Sequence, residues 1–300
     1  MPEEVISPRG KTVLAMTESV RRITVEHYRW ASLASVALLT ALVLPAVMAG
    51  GAVAVPRLTS ISFAHSGHSK GGGGGSCTGG SITAVTDSNW AGYAAETCLS
   101  SPSNGVVNSV QGSWVEPSVS CTAGTASYSA FWVGIDGYSS RSVEQIGTDS
   151  DCTSAGAPSY YAWYEMYPKM PVNLALTISP GDTLQASVVY QGAGSFLLTI
   201  NDLTSKMSFS THEVYKKAAR SSAEWVAEAP SGGSVLPLAD FGSVTFTSCT
   251  ATFGSTSGPI QDPAWQSAQM DMVTSSGALK ASTSGLSSGG ESFTTTWEHS

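Results

Sequence analysis

From Asp87 onward the apolar residues recur at every second position and show no helical periodicity. Period two belongs to a strand with one face in a core. Residues 183–190 put Leu184, Ala186, Val188 and Tyr190 on one side, and residues 195–201 do the same with Phe196, Leu198 and Ile200. Between them Gln-Gly-Ala-Gly turns the chain, so the pattern predicts a hairpin. Further strands are predicted over residues 106–115, around Val244 and Phe246, and over residues 269–273 and 292–297. About a dozen short strands without helices predict an antiparallel sandwich or jelly roll.

Three strands carry chemistry on their second face. In FWVGIDG (131–137), Phe131, Val133 and Ile135 form an apolar side, while Trp132 and Asp136 lie opposite. In YYAWYEMYP (160–168), Tyr161, Trp163, Glu165 and Tyr167 share a side. In AEWVAE (223–228), Glu224 and Glu228 lie opposite Ala223, Trp225 and Ala227. If these strands are neighbours, one surface interleaves rings with carboxylates. Such a surface suits a binding groove in which carboxyl pKa values are raised.

Composition narrows the chemistry. Only 12% of the 300 residues are charged, and glycine is abundant at 31. Residues 84–300 hold seven basic and eighteen acidic residues. Phosphate contacts need Lys and Arg, so nucleic acid is excluded as a partner. Only His212 and His299 lie in this acidic part, which leaves little for a Ser-His-Asp, Cys-His or zinc machine. One G-x-S-x-G string, GLSSG at 285–289, lacks the strand before and helix after that a nucleophile elbow needs.

The N-terminus reads as a targeting segment. Residues 30–56 contain no charge, and Arg21, Arg22 and Arg29 precede them. Residues 1–56 are therefore expected to be a signal peptide or a membrane anchor, with residues 31–55 as the only membrane contact. Residues 57–83, which include SGHSKGGGGGSCTGG, read as a Gly/Ser-rich linker or short pro-segment. The folded domain is expected over residues 84–300, outside the cytoplasm and as a monomer. Five cysteines without a C-x-x-C pair suit one or two disulfides in an oxidising compartment, with Cys77 in the linker as the odd one out.

Seven strings then occur in order: SNWAGY (88–93), GSWVEP (112–117), FWVGIDG, EQIGTD (144–149), YAWYEMYP, SAEWVAE (222–228) and ADFGSVTF (239–246). Together they resemble the glutamic peptidases, or eqolisins. The resemblance implies a secreted endopeptidase acting on polypeptides, on a lectin-like (concanavalin-like) all-β sandwich of two antiparallel sheets, with no metal or other cofactor. It implies Gln145 and Glu224 as the catalytic pair and Trp132, Asp136, Asp149, Trp163, Glu165 and Tyr167 as groove residues. The sequence departs from the family's pattern at Ser222, where the best-known relatives have Asn. Lys216, Lys217 and Arg220 stand close upstream of Glu224, and a positive charge beside that carboxyl would lower its pKa.

The chemistry of such a pair can be argued from the residue types. One carboxyl group can act as base towards water and then as acid towards the departing amine. A glutamine does not titrate, but its NH2 can donate to an oxyanion while its carbonyl holds the water. The competing reading is a carbohydrate-binding or glycoside-cleaving sandwich that uses Glu165 and Glu224 as paired carboxylates.

Overall fold

The computed structural model describes residues 76–300. The expected export segment and most of the expected linker lie outside the described residues. Sixteen strands and no helix occur among the described residues. The expected hairpin is β8 (Thr183–Gly192) and β9 (Ser195–Asp202). Ala186 pairs with Ile200, Val188 with Leu198 and Tyr190 with Phe196, so one register brings both apolar sides together. The turn uses positive φ at Gly192, Ala193 and Gly194, which glycine adopts without penalty.

The strands form two layers. One runs β10 (Met207–Val214), β9, β8, β3 (Val107–Val115), β12 (Ser243–Phe253). The other runs β16 (Phe293–Trp297), β15 (Leu279–Thr283), β14 (Gln266–Val273), β2 (Trp90–Glu96), β11 (Ser222–Glu228), β4 (Ala130–Ile135), β5 (Val143–Cys152), β6 (Pro158–Tyr167), β7 (Val172–Asn173). Neighbours along both orders are antiparallel. Short β13 (Thr256–Pro259) pairs with β12. Among the named strands one pairing is parallel: β1 (Ile82–Asp87) lies beside β14.

The layers are continuous through β12. Its residues 243–246 pair with β16, and its later residues pair with β3 across a register shift between Thr247 and Thr250. Ser248 takes φ 52° within that shift. A bulge of this kind bends a strand from one sheet into the next.

Between the layers lies the main core. Phe131, Val133 and Ile135 of β4 and Trp225 of β11 pack there with Trp114, Leu184, Val188 and Phe196 of the facing layer. Within the core, Glu116 is buried and accepts bonds from the Thr148 and Ser150 hydroxyls at 2.5 and 2.6 Å. Burial pushes its carboxyl up to about 7 against those donors.

Two expectations need correction. Cys77 is not the unpaired cysteine: it bonds to Cys98, Cys121 bonds to Cys152, and buried Cys249 is the free one. Part of the stretch read as spacer also packs on the fold. The Gly80 amide donates to the Trp265 carbonyl at 2.6 Å.

Candidate active site

β11, β4, β5 and β6 are consecutive in one layer, so the surface inferred from their alternation exists. Register orders it into three rows. The first runs Ala94, Glu224, Gly134, Gln145, Glu165 from β2 to β6. The second runs Gly92, Val226, Trp132, Gly147, Trp163. The third runs Trp90, Glu228, Ala130, Asp149, Tyr161.

Glu224 and Gln145 thus flank a glycine, two strand spacings apart, or about 10 Å between Cα atoms. A Cβ on Gly134 would meet a Trp132 ring carbon at 2.9 Å and the Gln145 Cβ at 3.2 Å. The missing side chain therefore lets the Trp132 ring lie directly over the backbone between the two.

Each polar side chain of the first row, Glu224, Gln145 and Glu165, is buried yet incompletely bonded. Gln145 donates an amide N–H to Glu165 Oε2 at 2.7 Å. Its Oε1, Glu165 Oε1 and both Glu224 oxygens lack a well-aligned partner. Buried polar atoms without partners are rare, and a cluster of them asks for a functional explanation.

Burial lifts the Glu224 carboxyl well above the usual range. The Ser222 hydroxyl and the Tyr138 backbone partly oppose this, while the Asp136 and Glu96 carboxyls add to it. No basic side chain contributes to the shift. The Arg220 guanidinium turns away, donating to the Gly105 carbonyl at 2.6 Å and Asn108 Oδ1 at 2.8 Å and lying 3.7 Å from the Tyr190 ring centroid. The lowering of the Glu224 pKa expected from the upstream basic run is therefore not found. Glu165 is pushed up to about 9 by burial, opposed by its bond from Gln145.

The other expected groove residues fall into two groups. Trp132, Asp149 and Trp163 stand on the same face as the pair. The Trp163 indole N–H donates to Asp149 Oδ1 at 2.5 Å, and the Tyr161 hydroxyl donates to Asp149 Oδ2 at 2.7 Å. Burial raises Asp149 to about 7. Tyr167 ends β6 and packs against the aromatic cluster of this face.

Asp136 is different. It follows β4 at φ 73°, and its carboxylate accepts the backbone N–H groups of Arg220 at 2.7 Å and Ser221 at 2.9 Å. It fixes the chain just before β11 begins at Ser222, and it does not line the row.

Alternation placed Glu228 on this face without a role, and Asn89 and Trp90 were not assigned from the sequence. Glu228 accepts the Trp132 indole N–H at 2.8 Å and the Asn89 amide at 3.0 Å. The signal was the spacing of Glu228, four residues beyond Glu224 on a period-two strand. Glu144 was also passed over. It is fully buried beside Asp136, which together with burial raises its pKa well above the usual value. Among the described residues, no group of three His, Cys, Asp or Glu side chains is arranged to hold a metal ion.

Comparison with known proteins agrees with the motifs. A sequence profile of the peptidase A4 family matches residues 88–297. Aspergillopepsin-2 of Aspergillus niger is 41% identical over 136 residues, covering 43% of this chain and 48% of that protein. Scytalidopepsin B of Scytalidium lignicola is 32% identical over 156 residues, covering 48% of this chain and 58% of that protein. The chain thus spans about half the length of these curated relatives. A scytalido-glutamic peptidase structure with a peptide-based transition-state analogue superposes with TM-score 0.58 at 26% identity, covering 71% of this chain and all of that one. The aspergilloglutamic peptidase of Aspergillus niger superposes with TM-score 0.51 at 34% identity, covering 57% of this chain and 99% of that one. With a profile match over more than half of its length, this chain belongs to the peptidase A4 family.

Proposed function

We propose that the protein is an exported glutamic endopeptidase in which Glu224 and Gln145 cleave polypeptide bonds without a covalent intermediate. The observation that carries this is the row in which a buried carboxyl and a buried amide flank a glycine, with oxygens that lack well-aligned partners. The solved relative with a peptide-based transition-state analogue supports a polypeptide substrate.

The steps follow from the groups present. Glu224, as carboxylate, takes a proton from a water while the water oxygen attacks the carbonyl carbon. The carbonyl π electrons move to oxygen, and the Gln145 N–H not bonded to Glu165 donates to that oxyanion. The oxyanion collapses, the C–N bond breaks, and Glu224, now a carboxylic acid, passes the proton to the leaving nitrogen. Leu99 and Tyr138 pack against this face.

Both reacting groups come from one chain, so a monomer suffices. Two disulfides support an oxidising compartment outside the cytoplasm. A glycosidase pairing of Glu165 with Glu224 fits poorly. Glu165 is committed to a hydrogen bond from Gln145, an amide for which paired carboxylates would have no use, and the solved relatives are glutamic peptidases.

The test is cleavage of a denatured protein, followed from acid to neutral pH, by wild type, E224Q and Q145A. Each variant should lose more than about a hundredfold in kcat/KM. A fully active Q145A would overturn the mechanism, and a wild type without proteolysis would overturn the activity.

A further inference from the structure

Glu228 is 1% exposed and lies two rows from the catalytic row, yet its bonds lead back to it. Its Oε2 accepts the Trp132 indole N–H at 2.8 Å, and its Oε1 accepts the Asn89 amide at 3.0 Å. The Trp90 side chain also bonds to this carboxyl. Asn89 is itself anchored. The backbone N–H groups of Asn89 and Trp90 both donate to Asp87 Oδ1, at 2.8 and 2.9 Å. The Trp90 ring meets Trp132 edge-on with centroids 4.9 Å apart. At its far edge, the Trp132 ring reaches over Gly134, into the gap between Gln145 and Glu224. A continuous set of contacts therefore runs from Asp87 through Asn89 and Glu228 to the ring that floors the gap.

We propose that Glu228, held by Asn89, is a positioning residue that fixes the Trp132 indole as the floor on which the scissile peptide lies. The proposal rests on the dyad reading above. The Trp132 and Asn89 donors reach different oxygens of Glu228, so each oxygen must offer a lone pair. A carboxyl group does so in either protonation state, whereas an amide offers a lone pair on its oxygen alone. The substitution E228Q would leave one acceptor oxygen where the Trp132, Asn89 and Trp90 donors now share two, setting an NH2 group against the indole or against the Asn89 amide and loosening the hold on the ring. Adding N89D would restore the match. The new amide at position 228 would donate to the new carboxylate at position 89, and its carbonyl would accept from Trp132.

That polarity swap is the test. Wild type, E228Q and N89D/E228Q are compared by kcat and KM on a short peptide, and by solvent exchange of the Trp132 indole proton in NMR, with W132F identifying the resonance. E228Q should lower kcat about tenfold or more, with KM changed less than about threefold, because small misplacements near reacting atoms act on turnover. Its indole proton should exchange faster. N89D/E228Q should bring kcat back to within about threefold of wild type and restore indole protection. An E228Q enzyme with wild-type turnover and protection overturns the proposal. So does a double variant no better than E228Q, whether in folding, turnover or protection. If wild type cleaves nothing, the dyad reading fails, while the indole exchange still decides whether Glu228 holds the ring.

Discussion

Gln145 and Glu224 stand in one register row with only Gly134 between them, on adjacent strands to either side. Backbone pairing thus sets their separation, and the absence of a side chain at Gly134 sets what can fit there.

Gly134→Ala should push the Trp132 ring out of its place over the glycine. Its Cβ would meet the Trp132 ring at 2.9 Å and Gln145 at 3.2 Å, both at the site. Gly134 is not among the residues with positive φ, so the backbone accepts alanine without strain. The expected result is a fall in kcat/KM of at least about thirtyfold, with the melting temperature lowered by no more than about 5 °C. Peptide kinetics together with a thermal melt checks it. Full activity would show that the gap does not hold the reacting groups.

Stability should fall as pH rises from acid to mildly alkaline. Burial raises Glu116 and Asp149 to about 7, Glu228 to about 8 and Glu165 to about 9. Each folded-state value lies above its unfolded one, near 4. Between those values the folded protein binds more protons than the unfolded chain, so stability decreases with pH. The contribution is complete below about pH 4 and is lost progressively up to about pH 9. Thermal melts at both ends of that window should differ by at least about 10 °C, with the acid end higher. A flat profile would mean that these carboxyls are ionised in the fold.

Thiol chemistry should report the pairing. Cys249 is buried and free, while the other four cysteines form two disulfides. The native protein should give no reaction with an aqueous thiol reagent. The denatured, unreduced protein should give one equivalent and the reduced protein five. Replacing Cys121 and Cys152 together with serine should cost about 3–4 kcal/mol, from the entropy of a 31-residue loop. Three equivalents in the unreduced protein would mean that one of the two bridges does not form.

Alternation exposed the strands that have one apolar face. The β8–β9 hairpin, β3, β4 and β11 fall within a residue or two of the sequence pattern, because burying one side of a strand imprints period two directly. β5 and β2 are different. Like β4 and β11 they are buried on both faces, but much of what VEQIGTDSDC buries is polar, and WAGYAAE buries mostly small residues. Neither segment alternates, so only the motifs drew attention to them.

The residue order by itself determined an all-β chain, acidic and nearly free of histidine, with carboxylates and rings on the second faces of three strands. It also singled out Gln145 and Glu224 through motif resemblance. Only the tertiary structure decided that β11, β4, β5 and β6 are neighbours in one register, that Asp136 serves the backbone before β11, that Arg220 turns away from Glu224, and that Glu228 bonds to Trp132. The reason is physical. Period two fixes which face a side chain takes within its own strand, but which residues meet across strands depends on long-range pairing that no local pattern encodes.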